Sequence, residues 1–257
     1  MNWKRLTSIL CFTLLFSANV GCSMAGGGQS NSDSRNSGSS SSSSSSSWDY
    51  KNEEPVDLEG KTIIFLGSSV TWGDGGWSMC EYLSEYHGCI VKKYAVGGTT
   101  LVDNGYNSYV QRMIRAGKEE KFADYFVCQL STNDATASMP LGEISKSKKI
   151  EDFDTSTIIG AMEFIIASAK EYWACPVGFY TGTRYANYRY MEMVDALLQL
   201  KQKWRIDVLD LWNDEEMNAV SKEDYAAYMK DPIHPNKDGY INWWGPKFKE
   251  FLEYHIR

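Results

Sequence analysis

Asp231 and His234 are the pair of residues in this chain that most clearly suggests chemistry. They lie three positions apart in a short segment that also contains Pro232 and Pro235. Because the prolines restrict the backbone, the carboxylate of Asp231 can reach one ring nitrogen of His234 and leave the other free. A histidine held in this way can act as a general base. The alternative is a surface Asp-Pro turn with a solvated histidine.

The two other histidines occupy positions that do not suggest a site. His87 lies at the predicted end of a helix, where an imidazole commonly faces the last carbonyl groups. His255 lies two residues before Arg257, the last residue of the sequence. His234 is therefore the candidate base.

Ser69 is the candidate nucleophile for that base. It lies just beyond a predicted strand and near the start of the next helix, in the run Gly-Ser-Ser-Val-Thr at residues 67–71. A nucleophilic serine needs a base, a group that orients the base, and hydrogen-bond donors for the oxyanion. The alternative is that Ser68 and Ser69 cap a helix or shape a turn. The run is not the Gly-x-Ser-x-Gly elbow of α/β-hydrolases, because Thr71 occupies the second glycine position.

Two further predicted strands end in residues that could donate to an oxyanion. The second is followed by Gly97 and Gly98, where the backbone can approach a ligand and turn an N–H towards it. The third is followed by Asn133 and Asp134, which places an amide side chain at the same edge. An ordinary Asn-Asp turn is the alternative.

The elements that must position these residues are short β-rich segments that alternate with longer helical ones. This alternation predicts a parallel sheet with helices on both faces. Strands are predicted at residues 62–66, 90–96, 125–130, 177–181 and 206–211, and helices at 77–86, 109–116, 155–173, 188–204 and 237–254. Ligands bind beyond the carboxyl ends of such strands, which is where Ser69, Gly98 and Asn133 are expected.

Together, Ser69, Gly98, Asn133 and the Asp231-x-x-His234 motif resemble the sequence blocks of the SGNH hydrolases, also called the GDSL esterase/lipase family. The resemblance covers about residues 60–255. It implies a flavodoxin-like three-layer α/β/α sandwich with a five-stranded parallel sheet. It also implies a Ser69–His234–Asp231 triad that forms an acyl-enzyme, with no metal or organic cofactor. The oxyanion hole would consist of the N–H groups of Ser69 and Gly98 and the side chain of Asn133.

Two residues depart from the family pattern. Ser68 replaces the aspartate of Gly-Asp-Ser, and Ser131 replaces the glycine of Gly-x-Asn-Asp. Neither replacement removes a catalytic group, so we expect an active esterase. Two alternatives stay open, namely a lipase or thioesterase for longer acyl chains and an inactive, surface-anchored glycan-binding module.

The expected substrate is an O-acyl ester, most simply an O-acetyl ester on an extracellular polysaccharide or an acylated small molecule. The domain contains no long apolar insertion that could form a lid. Trp72 and Trp77 flank the predicted nucleophile loop, and Tyr185 follows the fourth predicted strand. These aromatic rings could stack on sugars, although such residues also pack in cores and at rims.

Residues 1–22 are typical of a secretory signal peptide. Lys4 and Arg5 precede an apolar run at residues 9–16 that is too short to span a membrane. The small residues before Cys22 resemble a bacterial lipobox, so we expect lipidation of Cys22; cleavage nearby that leaves a free thiol is the alternative. Acyl chains on Cys22 would anchor the protein to a membrane surface. We therefore expect an exported protein at the cell surface or in the periplasm, or a secreted one without the anchor.

Residues 23–57 are rich in Gly, Ser and Asn, which predicts a flexible tether before one hydrolase domain at residues 58–257. The formal net charge of −7 argues against nucleic acid as a partner. Export permits a disulfide, and Cys80 and Cys89 are the pair nearest in sequence. Cys128 and Cys175 lie within strand-like runs and are expected to be buried thiols.

Overall fold

A computed structural model describes residues 51–257, which form a central sheet of five strands with helices on both faces. The strands are β1 (Thr62–Gly67), β2 (Ile90–Ala95), β3 (Tyr125–Gln129), β4 (Val177–Tyr180) and β5 (Asp207–Leu209). Their order is β2-β1-β3-β4-β5, and every neighbouring pair is parallel. The predicted α/β/α sandwich is confirmed, and all five predicted strands are present, although β5 is shorter than the predicted segment.

The described helices include all those predicted and several short ones in addition. They are α1 (Ser69–Trp72), α2 (Met79–His87), α3 (Tyr109–Glu119), α4 (Thr132–Thr136), α5 (Ile158–Trp173), α6 (Tyr188–Trp204), α7 (Glu215–Asn218), α8 (Lys222–Tyr228), α9 (Lys237–Gly239) and α10 (Gly245–His255). A 3-10 turn (Ile150–Asp152) precedes α5, and a π-helical turn (Tyr240–Trp244) joins α9 to α10.

The last predicted helix, at residues 237–254, is therefore interrupted. Pro246 follows the π-helical turn at the start of α10. Because proline has no N–H and its ring collides with the carbonyl four residues earlier, the regular α-helical hydrogen bonds are lost at this point. The N–H of Gly245 instead bonds to Tyr240 O, five residues back.

Two apolar layers cover the two faces of the sheet. Alternate residues of β1 point to opposite sides, so that Ile64 and Leu66 pack with α3, α5 and α6, while Ile63 and Phe65 pack with α2 and α10. This burial fixes the register of β1 and hence the position of the residues that follow its carboxyl end.

The predicted signal peptide, Cys22 and residues 23–50 of the predicted tether lie outside the described residues. The remaining tether residues contact the domain: Asn52 N donates to Tyr254 O (2.8 Å), and Val56 N donates to Glu253 O (2.9 Å). The domain thus includes residues from Asn52 onward, a few residues before the predicted boundary at residue 58. Among the described helices, none combines the length and apolar character needed to cross a membrane.

All four cysteines in the described part of the chain are buried free thiols. Burial raises the pKa of Cys80 to about 12 and that of Cys89 to about 11. Cys128 and Cys175 are buried, as predicted. None of these thiols is therefore activated as a nucleophile.

Candidate active site

Ser69, His234 and Asp231 form one continuous chain of hydrogen bonds. Ser69 is the first residue of α1 and lies two positions beyond Gly67, the last residue of β1. Its Oγ lies 2.7 Å from Nε2 of His234, and Nδ1 of His234 lies 2.8 Å from Oδ2 of Asp231. A carboxylate on one ring nitrogen fixes the tautomer in which the other nitrogen can accept the serine proton.

The turn that carries Asp231 and His234 is organised by the aspartate itself. Asp231 Oδ1 accepts hydrogen bonds from the N–H groups of Ile233 (2.8 Å) and His234 (2.9 Å). Partial burial acts to raise the pKa of Asp231, but these hydrogen bonds and the one from the His234 ring outweigh it and lower the pKa. The carboxylate therefore stays ionised and can stabilise an imidazolium.

The segment that carries Ser69 is held in place by a buried polar cluster around Gln129. Ser68 N donates to Gln129 Oε1 (2.8 Å), and Gln129 Nε2 donates to Ser68 Oγ (3.1 Å). Thr71 Oγ1 donates to the same Gln129 oxygen at 2.8 Å. Ser68, at the position of the family aspartate, is thus fully buried and hydrogen-bonded. A Cβ on Gly67 would lie 1.6 Å from Thr71 Oγ1, so the strand must end in glycine here.

Gly98 lies on a loop beside Ser69, and Asn133, in α4, contacts the same loop. A Cβ on Gly97 would lie 3.8 Å from Ser69 Cβ, which places this loop against the serine. Gly98 has a φ of +76°, in the left-handed region that favours glycine. Asn133 Nδ2 donates to Thr99 O at 2.9 Å, which leaves its second amide hydrogen available. Among the described residues, no backbone acceptor takes the N–H of Ser69 or Gly98.

Ser131, the second departure from the family pattern, fits its position without strain. Its φ of −72° is accessible to any residue, and its side chain caps α4 by accepting from Asp134 N. Replacement of glycine therefore does not disturb the backbone that carries Asn133.

Asp134 fastens the loop that follows β2 to α4; we call this loop, residues 96–102, the glycine loop. Its side chain is fully buried and accepts from the N–H groups of Leu101 (2.7 Å) and Val102 (3.1 Å). Burial raises the pKa of Asp134, although these hydrogen bonds and one with Ser131 act in the opposite direction. The carboxylate thus fixes the loop just beyond Gly98 relative to Asn133.

Arg112 of α3 also fixes the glycine loop, by hydrogen bonds from a buried position. It is 1% exposed and donates to Gly67 O (2.6 Å), to Thr99 Oγ1 (2.7 Å) and to Tyr94 O. One guanidinium therefore joins the ends of β1 and β2 to the glycine loop. Neither Arg112 nor Gln129 was predicted from the sequence as a support of the site.

The three predicted aromatic contacts lie in different surroundings. Trp72 is 49% exposed and lines an open cleft of about 200 Å³ together with Ser69, Asp231 and His234. Trp77 is not among the residues that line this cleft; its indole N–H faces Glu85.

Tyr185 packs on Tyr190 (5.1 Å) and Trp212 (5.7 Å) and borders a second, smaller cavity of about 10 Å³. Val70, Thr132 and Ile233, the chain neighbours of Ser69, Asn133 and His234, line the same cavity. This volume has room for about one water molecule. Over residues 51–257, no cluster of three or more potential metal ligands is present.

Comparison with known proteins gives one family and a shared fold. The GDSL-like lipase/acylhydrolase family profile matches residues 65–240, a range that includes Ser69, Gly98, Asn133, Asp231 and His234. No curated protein matches the sequence.

Solved structures with the same fold include a protein described as a GDSL-like lipase from Bacteroides ovatus, with a TM-score of 0.56 and 17% identity over 76% of this chain and 98% of that one. A protein described as a lipolytic member of the G-D-S-L family, from Desulfitobacterium hafniense, has a TM-score of 0.57 and 16% identity over 75% of this chain and 100% of that one. An acetyl xylan esterase from Butyrivibrio proteoclasticus has a TM-score of 0.50 and 12% identity over 77% of this chain and 64% of that one.

Proposed function

The chain belongs to the GDSL-like lipase/acylhydrolase family and is a carboxylic ester hydrolase; from this premise we propose that it removes acetyl groups through Ser69, His234 and Asp231. The observation that carries the proposal is the chain of hydrogen bonds from Ser69 Oγ to His234 (2.7 Å) and from His234 to Asp231 (2.8 Å). Its geometry suits a serine that loses its proton as it attacks a carbonyl.

In the first half of the proposed reaction, Ser69 Oγ attacks the ester carbonyl carbon while His234 Nε2 takes the hydroxyl proton. The carbonyl π electrons move to oxygen, and the N–H groups of Ser69 and Gly98 and the amide of Asn133 stabilise the oxyanion. Asp231 stabilises the imidazolium. Collapse of the tetrahedral intermediate breaks the bond to the alcohol oxygen, which receives the proton from His234.

In the second half, water attacks the acyl-enzyme with His234 again as the base. The bond between the acyl carbon and Ser69 Oγ breaks, His234 returns the proton to the serine, and the carboxylic acid leaves. Every proton transfer passes through Nε2 of His234, so the reaction needs no cofactor.

For the acyl side of the ester, we propose that the small cavity receives the methyl end of an acetyl group. Val70, Thr132 and Ile233, the chain neighbours of Ser69, Asn133 and His234, are among the residues that line it, and its volume of about 10 Å³ has room for about one water molecule. A longer acyl chain would have to displace these side chains, at a cost typical of overpacking a core. This argues against the alternative of a lipase or thioesterase for long chains.

The open cleft leaves room for a bulky alcohol moiety, and we propose that the substrate is an acylated polysaccharide. The exposed ring of Trp72 lies in the same cleft as Ser69 and His234, where it can stack on a sugar. The Butyrivibrio protein of the same fold is described as an acetyl xylan esterase. Export, and attachment to a membrane through Cys22, are part of the proposal and would bring the enzyme to such a polymer.

The test compares hydrolysis of p-nitrophenyl acetate, butyrate and octanoate by the wild-type protein and Ser69→Ala. We expect acetate turnover that disappears in the variant, followed by acetate release from acetylated xylan. Preference for octanoate would favour the lipase. Absence of any turnover above the variant, in a folded protein, would favour an inactive glycan-binding module.

A further inference from the structure

Asp74 lies in a tight turn, residues 74–77, shortly after α1, the helix that begins with Ser69. Its N–H donates to Trp77 O (2.8 Å), and its carbonyl accepts from Trp77 N (3.0 Å). Gly73 has a φ of +88°, and a Cβ there would lie 2.1 Å from Trp77 O. We call residues 69–78, which comprise α1 and this turn, the nucleophile loop. Its backbone presents the Asp74 carboxylate from a well-defined position.

That carboxylate contacts both ends of the segment that carries the aspartate and histidine of the triad. We call residues 229–237 the acid–base turn. Asp74 Oδ1 lies 2.8 Å from Lys230 Nζ, and Oδ2 accepts from Lys237 N at 3.3 Å. Lys230 immediately precedes Asp231, and Lys237 lies three positions after His234. One side chain therefore links the two parts of the site, which are far apart in sequence.

A second contact joins the same two segments. The ammonium group of Lys237 lies 4.8 Å from the ring centroid of Trp77, at the distance of a cation–π interaction. Trp77 is the residue that pairs with Asp74 across the tight turn. The contact therefore strengthens the same connection between the nucleophile loop and the acid–base turn.

The acid–base turn is fastened at its base, where Met229 and Pro235 are buried and pair with each other, but the two triad side chains that it carries are partly exposed. The side chain of Asp231 is 49% exposed and that of His234 is 34% exposed. Side chains in solvent reorient easily unless hydrogen bonds hold the backbone that carries them. The hydrogen bond with Lys230 also lowers the pKa of Asp74, so the carboxylate is ionised at neutral pH.

We propose that Asp74 is a positioning residue, which sets the distance between Ser69 and His234 by holding the acid–base turn against the nucleophile loop. The inference rests on the proposed function, because it concerns the geometry of the same proton transfer. Asp74 also lines the open cleft, and direct contact with the alcohol is the competing role. Loss of the positioning role should lower kcat, whereas loss of a contact with the alcohol should raise KM.

The test measures kcat and KM for p-nitrophenyl acetate in the full-length protein with Asp74→Asn, Lys230→Met and the double variant. Loss of position should lower kcat about three- to tenfold with KM unchanged, because small displacements of a base slow proton transfer. The double variant should be no slower than the slower single variant, since both break one contact. Lys230→Arg should retain activity.

The matched control is Glu216→Gln, which breaks another exposed ion pair, with Lys247 (2.8 Å), away from the cleft. It should leave kcat unchanged. Unchanged kcat in Asp74→Asn, additive losses in the double variant, or a raised KM at constant kcat would each overturn the proposal.

A readout that does not require turnover is the NMR signal of the His234 Nδ1 proton in its hydrogen bond to Asp231. It is identified by its loss in His234→Gln, and Asp74→Asn should broaden it through exchange with water. An unchanged signal would contradict the positioning role. If the wild-type protein hydrolyses no ester, the proposed function fails, while this signal still decides whether Asp74 orders the turn.

Discussion

Replacing Asn133 with alanine separates two contributions of one side chain. One amide hydrogen of Asn133 is donated to Thr99 O at 2.9 Å, and the other is available to a developing oxyanion. The first contact holds the glycine loop, and the second acts only during the reaction. Alanine removes both, but their magnitudes differ enough for activity and stability to be compared.

The catalytic loss should be much larger than the structural one. Removing one oxyanion donor lowers kcat by about 10²–10³, or about 2.7–4 kcal/mol. The hydrogen bond to Thr99 O joins neutral groups, and its loss should cost about 0.5–1.5 kcal/mol of unfolding free energy. For a domain of this size, that corresponds to a decrease in Tm of about 1–6 °C.

The assay combines kcat and KM for p-nitrophenyl acetate with thermal unfolding of the same samples. Thr136→Ala is the control, because Thr136 lies on the same short helix and its hydroxyl bonds only to Thr132 O (3.0 Å) among the described residues. It should keep wild-type kcat. A decrease of less than tenfold in Asn133→Ala, at a temperature where the variant is folded, would refute the role of Asn133 as an oxyanion donor.

Three further outcomes are expected. Asp231→Asn should lower kcat about 10⁴-fold by permitting the wrong histidine tautomer. Because the folded state lowers the pKa of Asp231, the ionised carboxylate should stabilise the fold above the pKa of the unfolded chain, and this contribution should be lost as pH falls through the lowered value. Urea unfolding of the wild-type protein and the variant across acidic pH would show the difference. Burial raises the pKa of Asp134, so its contribution to the free energy of unfolding should depend on pH in the opposite direction. This contribution should be fully present below the pKa of the unfolded chain and lost as pH rises through the pKa of the folded state. Asp134→Asn should abolish this pH dependence in the same measurement. Ile233→Ala should enlarge the small cavity and raise the ratio of kcat/KM for butyrate over acetate by about tenfold; an unchanged ratio would show that the acyl group lies elsewhere.

The sheet and the meeting of the candidate catalytic residues could be predicted because they follow from simple periodic rules. Strands such as β1 and β3 are continuous apolar segments, and parallel connections bring their carboxyl ends to one edge. Ser69 and Asn133 therefore had to lie near each other. His234 could be placed beside them only through the family resemblance, since no periodicity links the acid–base turn to that edge.

The supports of the site could not be predicted, because their residue types usually serve other purposes. Arg112 occurs on a polar helix, where arginine normally faces solvent, yet it is buried and bonded to main-chain oxygens. Gln129 ends an apolar strand and gives no signal of its contact with Ser68. Helices α7 and α8 could have been predicted from their N-terminal caps, Asp214 and Ser221.

The chain joins the domain at the pole of the sheet opposite to its reactive edge. Asn52 bonds to Tyr254 and Ile256 at the end of α10, and the next residue, Arg257, pairs with Asp207, where β5 begins. Ser69 and His234 lie where the strands finish. The chain therefore enters the domain at the end of the strands opposite the cleft, and none of the described residues near Asn52 lines that cleft.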